Sequence, residues 1–322
     1  MSLSKIVLMG SLLACCLEPQ ARSQEQEPLL VSPQGVGQIF RLAPPVYGVL
    51  LERQRPMQLD ISHTFTNYWS RDRRYRIDDE MIDDEARLTY QWQKRVRLGL
   101  GFNVRRFAHT ASDQVAITFH KLMFMGQDGR LEAGKNKLIY RVPDYNLQYT
   151  AADRNRSFSE LLQADLTLPL SLEALQPLNM AFTVMGSFEN AEGGPFPHGS
   201  MDKGWQLNLS YPLAQGSVFG SLTYLAFDQQ PSNPVALYWE QMGWTLGAGH
   251  HLDANQELLG QVMVYQPVFR QMGQLSRNSY EIHLAYRYHW EQYALEATLI
   301  ENIFWIYNTP DWGLCVGLRS AI

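Results

Sequence analysis

The chain alternates. From Leu207 to Phe227 it runs LNLSYPLAQGSVFGSLTYLAF without one charged residue. Apolar and polar side chains take turns up to Leu213 and again from Val218. Successive side chains on a strand point to opposite faces, so this period predicts two strands around the short turn Ala214-Gln215-Gly216-Ser217. The pattern begins at Met57, where Met57, Leu59, Ile61 and Phe65 oppose Asp60, Ser62, Thr64 and Thr66. Ala86, Leu88, Tyr90 and Trp92 then oppose Arg87, Thr89 and Gln91, and Val96 to Val104 oppose Arg97, Gly99, Gly101 and Asn103. After an interruption at 105–160 the alternation resumes at Leu162 and continues to the end. It predicts roughly twelve strands of about 9–12 residues, near the length that crosses a bilayer at a tilt.

The connections alternate in length. Short turns are expected at 94–95, 214–217, 251–255 and 290–292. Long polar ones are expected at 69–84, 105–160, 189–203, 228–235, 271–278 and 305–310. In outer-membrane barrels short turns face the periplasm and long loops face outward. No helices separate the strands, which excludes a parallel α/β fold. Within the long segment, Val115, Phe119, Leu122 and Met123 share one face at helical spacing, with Ser112 and Asp113 as caps. This predicts a helix that plugs the lumen or lies on the rim.

A soluble sandwich and a membrane barrel share the same period and differ in where charge goes. Here the polar face is mostly small or neutral: Ser62, Thr64, Asn103, Thr183, Asn208 and Thr223. Its charges are isolated and of both signs: Asp60, Arg87, Arg97, Asp165, Glu281, Arg287, Glu296 and Arg319. Aromatics such as Trp92, Trp205, Tyr211, Trp239, Trp290 and Trp312 gather near strand ends, as girdles at two interfaces require. The fold expected is an all-β, antiparallel transmembrane barrel over 57–322, with a periplasmic β-sandwich as the alternative.

Composition adds export. Of 322 residues only 18% are charged, below the ~25% usual in soluble domains. Lys5, the apolar run 6–17 and the A-x-S pattern at Ala21 and Ser23 predict a secretory signal over 1–23. The segment 12–15, LLAC, is a looser match to a lipoprotein box at Cys15. Cleavage after Ser23 removes Lys5, Glu18 and Arg22, one acid and two bases, and moves the formal charge from −5 to −6. A mildly acidic chain is a poor partner for nucleic acid. Only Cys315 then remains, so no internal disulfide is available. The irregular, proline-rich stretch 24–56 is expected to be a periplasmic lead-in or plug.

The chain also resembles a family of proteobacterial outer-membrane proteins classed as a domain of unknown function. The resemblance is carried by HTFTNYWS in the first strand, FHKLMF (Phe119, His120, Phe124) followed by GQDGR and Asn136, and the ending YNTPDWGLCVGLR with Asn308, Pro310, Asp311, Leu318 and Arg319. It implies the barrel and the outer membrane, hence outer-membrane lipids, lipopolysaccharide and the assembly machinery as partners. It implies no catalytic residue.

Candidate chemistry is sparse. Glu281, His283 and Arg287 share one face with Arg87 and Arg97 as lumen residues; a Glu–His pair suits acid–base work but more often narrows a pore. His63 stands by parity on the apolar face. A lipid hydrolase would need a nucleophile beside it, whereas its expected outward neighbours are Leu314, Val316, Leu88 and Tyr90. His109 and His120, with Asp113 and Asp128, match no metal-ligand spacing and read as exposed loop residues. No cofactor motif appears. Three functions stay open: a channel, transporter or structural surface protein; a lipid-modifying enzyme; and an adhesin or receptor acting through its loops.

Overall fold

The structure, a computed structural model, describes residues 27–49, 55–93, 95–108, 112–122, 138–143, 146–170, 173–191, 198–229, 236–302 and 308–322. Alternating side chains give fourteen strands: β1 (Met57–Arg71), β2 (Arg76–Trp92), β3 (Val96–Ala108), β4 (Ile139–Val142), β5 (Leu147–Thr150), β6 (Ser157–Pro169), β7 (Asn179–Glu189), β8 (Met201–Leu213), β9 (Gly216–Ala226), β10 (Glu240–His251), β11 (Gln256–Tyr265), β12 (Ser279–Trp290), β13 (Tyr293–Asn302) and β14 (Trp312–Ala321). All but β4 and β5 pair antiparallel with their neighbours in chain order, and β1 pairs with both β2 and β14. The sheet therefore closes into a twelve-stranded barrel without a free edge. β4 and β5 form a small hairpin that extends β2.

The barrel is greasy outside. Ile61, Leu88, Leu98, Phe102, Leu246 and Leu284 are exposed along its wall, and Leu100 is 61% exposed. The opposite parity is buried and polar, with Thr167, Thr183, Gln206, Thr223, Gln241 and Thr298 at the bottom of the scale of exposure. A protein in water would reverse this, whereas a lipid-facing wall requires it. Among the described residues no helix is long and apolar enough to cross a membrane; the strands cross. Aromatics mark both ends of the wall. Tyr288, Trp290 and Tyr293 stack in sequence at the short-turn end, and Phe65 packs on Trp312 toward the long-loop end. At the two-residue turn after β12, Glu291 takes a positive φ of 50°, which lets the chain reverse tightly.

Three expectations change. The charged stretch 71–85 is strand apart from the turn 72–75: β1 and β2 stay paired from Met57↔Tyr90 to Arg71↔Arg76. Its carboxylates are held on the ladder by ion pairs such as Asp83 with Arg105 and Asp84 with Arg106. The helix α1 (Asp113–Leu122) is present, but Val115 on its expected face is 52% exposed. The docked face is Asp113, Ala116, Ile117 and His120. Polar partners, not apolar spacing, orient it: Asn67 donates to Ser112 Oγ (2.9 Å) and Asp113 (3.1 Å), and Ser112 N donates to Glu80 (3.1 Å). Asn67, Glu80 and Glu301 lie on the outer parity of their strands, so α1 sits against the outside of the rim. The side chains of Phe119 and Leu122, and residue Met123, fall outside the described set. Third, His120 is buried, not exposed, with Nε2 3.6 Å from Glu301 and 3.4 Å from the Asp311 carbonyl. His109 and Asp128 lie outside the described residues.

Candidate functional site

The lumen is occupied by the chain's own N-terminal segment. Between Pro28 and Val49 the sequence offers one charge, Arg41, and apolar residues without alternation. Such a stretch has no sheet to join, yet nearly every residue of 27–49 is buried. It enters at the short-turn end, rises to a single turn of 3₁₀ helix at Gln38–Phe40, and descends again. At the top Phe40 packs among Phe158, Tyr140 and Phe269, so the long-loop end is sealed by an aromatic core.

A segment without a ladder must satisfy its backbone otherwise, and the inner wall supplies the partners. Arg287 donates to the carbonyls of Glu27 (2.9 Å) and Pro28 (3.0 Å). The same guanidinium is held by Glu296 at 2.6 Å and Glu257 at 3.0 Å. Glu296 accepts from Leu30 N at 3.0 Å, and Glu281 accepts from Gln34 N at 3.0 Å. Arg319 donates to Pro28 O (2.7 Å) and pairs with Glu27. Higher up, Arg105 caps the carbonyls of Ile39 (2.8 Å) and Arg41 (3.2 Å). Arg41 forms a buried pair with Asp202, which also accepts from Leu42 N at 3.1 Å. On the descending arm Gln206 accepts from Tyr47 N (2.8 Å) and donates to Pro45 O (3.3 Å), and Arg97 donates to Gly48 O (2.9 Å).

Arg87 stacks over the Tyr47 ring at 4.2 Å and pairs with Asp165 at 2.5 Å. A methyl group at position 99 would overlap the Asp165 carboxylate, so Gly99 makes room for this pair. His283 is fully buried. Gln261 donates its amide N–H to His283 Nδ1 (3.0 Å), which leaves the proton on Nε2 to be donated to Glu281 (3.0 Å). Arg41, Asp202, Arg105 and Gln206 were not singled out from sequence. Their signal was available: three have inward parity, and Arg41 is the lone charge of an apolar stretch. What remains open between the two arms is a cavity of about 50 Å³ bordered by Leu30, Tyr47, Asp60 and Arg87, room for a few waters.

His63 points outward with its side chain 55% exposed and bonds Asp84 at 2.6 Å. Asp84 also binds Arg106 at 2.7 Å. In register His63 faces Asp84 on one side and Val316 on the other. Neither is a nucleophile for acyl transfer. Asp84 is not legible as a partner of His63 in sequence, because its charged surroundings read as a loop.

Solved structures that the chain resembles include the NanC porin, at a TM-score of 0.49 and 9% identity over 82% of this chain and 100% of that one. They include the CymD monoaromatic hydrocarbon channel, at 0.40 and 10% over 84% and 89%. A Salmonella typhi OmpF complex with daunomycin gives 0.34 and 7% over 82% and 96%. No curated protein matches the chain. Residues 5–322 match the model of the family described as "Protein of unknown function (DUF3187)", and the chain belongs to that family.

Proposed function

We propose that the protein is an outer-membrane transport barrel held closed at rest by its N-terminal segment, residues 27–49. The predicted signal, the lipid-facing belt and the closed sheet support export to the outer membrane, with lipopolysaccharide and lipids around the wall and the assembly machinery as a transient partner. Loop asymmetry supports the short turns in the periplasm, so both arms of the segment open to that side. The observation that carries transport is the chemistry of the contact between segment and wall. A permanent filler is best made apolar, because buried ion pairs add little or negative stability relative to well-packed hydrophobic residues. Here apolar side chains of the segment do pack on the wall, Leu29 and Val31 by Cys315, Val46 by Phe219 and Met263, and Phe40 at the top, but its backbone is held by amides and ion pairs, partners that water can replace when the segment leaves.

The test uses Arg41→Gln, which removes one side of the buried pair with Asp202 and loosens the segment. Cys315 is 1% exposed and clusters with Leu29 and Val31, so its thiol reports displacement. The wild type should conduct rarely in a planar bilayer and react slowly with a hydrophilic maleimide. The variant should open often and label faster. A variant that keeps the heat-shifted gel mobility of a folded barrel, yet stays silent and unlabelled, would overturn the reading.

A further inference from the structure

We propose that the lumen, once the segment withdraws, passes small cationic solutes in preference to anions. This rests on the transport reading above. Charge on the inner wall cancels in four places: Arg105 with Asp83 (3.1 Å), Arg87 with Asp165 (2.5 Å), Arg287 with Glu296 (2.6 Å) and Arg319 with Asp60 (3.9 Å). Among the described inward-facing residues of the twelve strands, six carboxylates remain after these pairs: Asp79, Glu85, Glu189, Asp202, Glu257 and Glu281. Arg97, which holds the Gly48 carbonyl, is the remaining arginine. The inward histidines lie against these carboxylates, His283 on Glu281 and His251 and His289 on Glu257.

The segment itself masks part of this excess. Its only cation, Arg41, neutralises Asp202, and its Gln34 amide is bound by Glu281, while its one acid, Glu27, shares Arg319 with Asp60. Withdrawal removes both partners together. The vacated channel is then acidic, and its lipid-embedded wall focuses that field on the path of the solute. Rings of Asp and Glu side chains select cations in this way.

The experiment measures reversal potential across a planar bilayer under a KCl gradient, with the full-length chain. Arg41→Glu, which sets two carboxylates against each other at position 202, opens the lumen; Arg41→Gln replaces it if the stronger change fails to give a heat-shifted band. The expected result is a preference for K⁺ over Cl⁻ of roughly tenfold, the lower end of the local enrichment that a one-signed cleft produces. Adding Glu85→Gln, Asp202→Asn and Glu281→Gln should bring the ratio toward one. Currents that favour Cl⁻, or that show no preference before the neutralising changes, would overturn the selectivity and leave transport standing. Absence of current from either folded Arg41 variant overturns transport, and the selectivity with it.

Discussion

Arg287 binds two carboxylates and two carbonyls at once, and both carboxylates, Glu257 and Glu296, are buried. Its removal therefore strands charge rather than merely losing contacts. Arg287→Ala should destabilise the folded barrel by about 3–5 kcal/mol, the cost of breaking a buried pair. The check is the denaturant midpoint of the heat-shifted band. Adding Glu296→Gln to the same protein should recover part of the loss, because one stranded charge is then gone. On the other parity, Leu246 faces lipid near the middle of β10. Leu246→Arg should cost about 2–4 kcal/mol in a bilayer-folding equilibrium, as Arg does at the midplane of such walls. Thr245→Val beside it, facing inward, should not register on that lipid scale. Parity made both assignments legible in sequence. The four partners of Arg287 were not, because two of them are backbone atoms of a segment more than 250 residues away.

At the scale of elements, period-2 alternation revealed the strands because lipid on one side and polar groups on the other impose it on every turn of the pleat. Where those two environments end, the signal ends too. β1 and β2 run beyond the apolar belt, so residues 71–85 look like a charged loop although all but the turn 72–75 are paired. The helix α1 was legible in period but not in direction. Its apolar spacing pointed to Val115, while its docking is fixed by Ser112, Asp113 and His120 against the rim. Ala116→Lys, at a fully buried position, should undock α1 while the barrel keeps its heat-shifted mobility. Faster proteolysis between β3 and β6 would register the change; an unaltered cleavage pattern would mean that α1 is not held through this face. The segment 27–49 carried no period at all, because its backbone bonds go to side chains and not to a ladder. Its near lack of charge was the only trace of burial.

At the scale of the whole molecule, the barrel puts the polar half of an ordinary protein inside and then fills it with its own beginning. The partners of that beginning are at the other end of the chain: Glu27 to Gln34 are bound by Glu281, Arg287, Glu296 and Arg319, with Leu30 and Glu296 266 residues apart. The sheet is closed by the same strands, since β14 must find β1. Contacts between such distant residues are slow to form, because the loop between them must be closed before any contact rewards it. The segment 27–49 is thus among the last parts to be satisfied, and filling the lumen coincides with closing the seam. A chain ending before Trp312 should give no heat-shifted band, and protease should clip it between Glu27 and Val49 however long it is left with lipid. In kinetic terms the N-terminus is a passenger until the C-terminus arrives, and the step that makes the barrel watertight is the step that makes it a barrel.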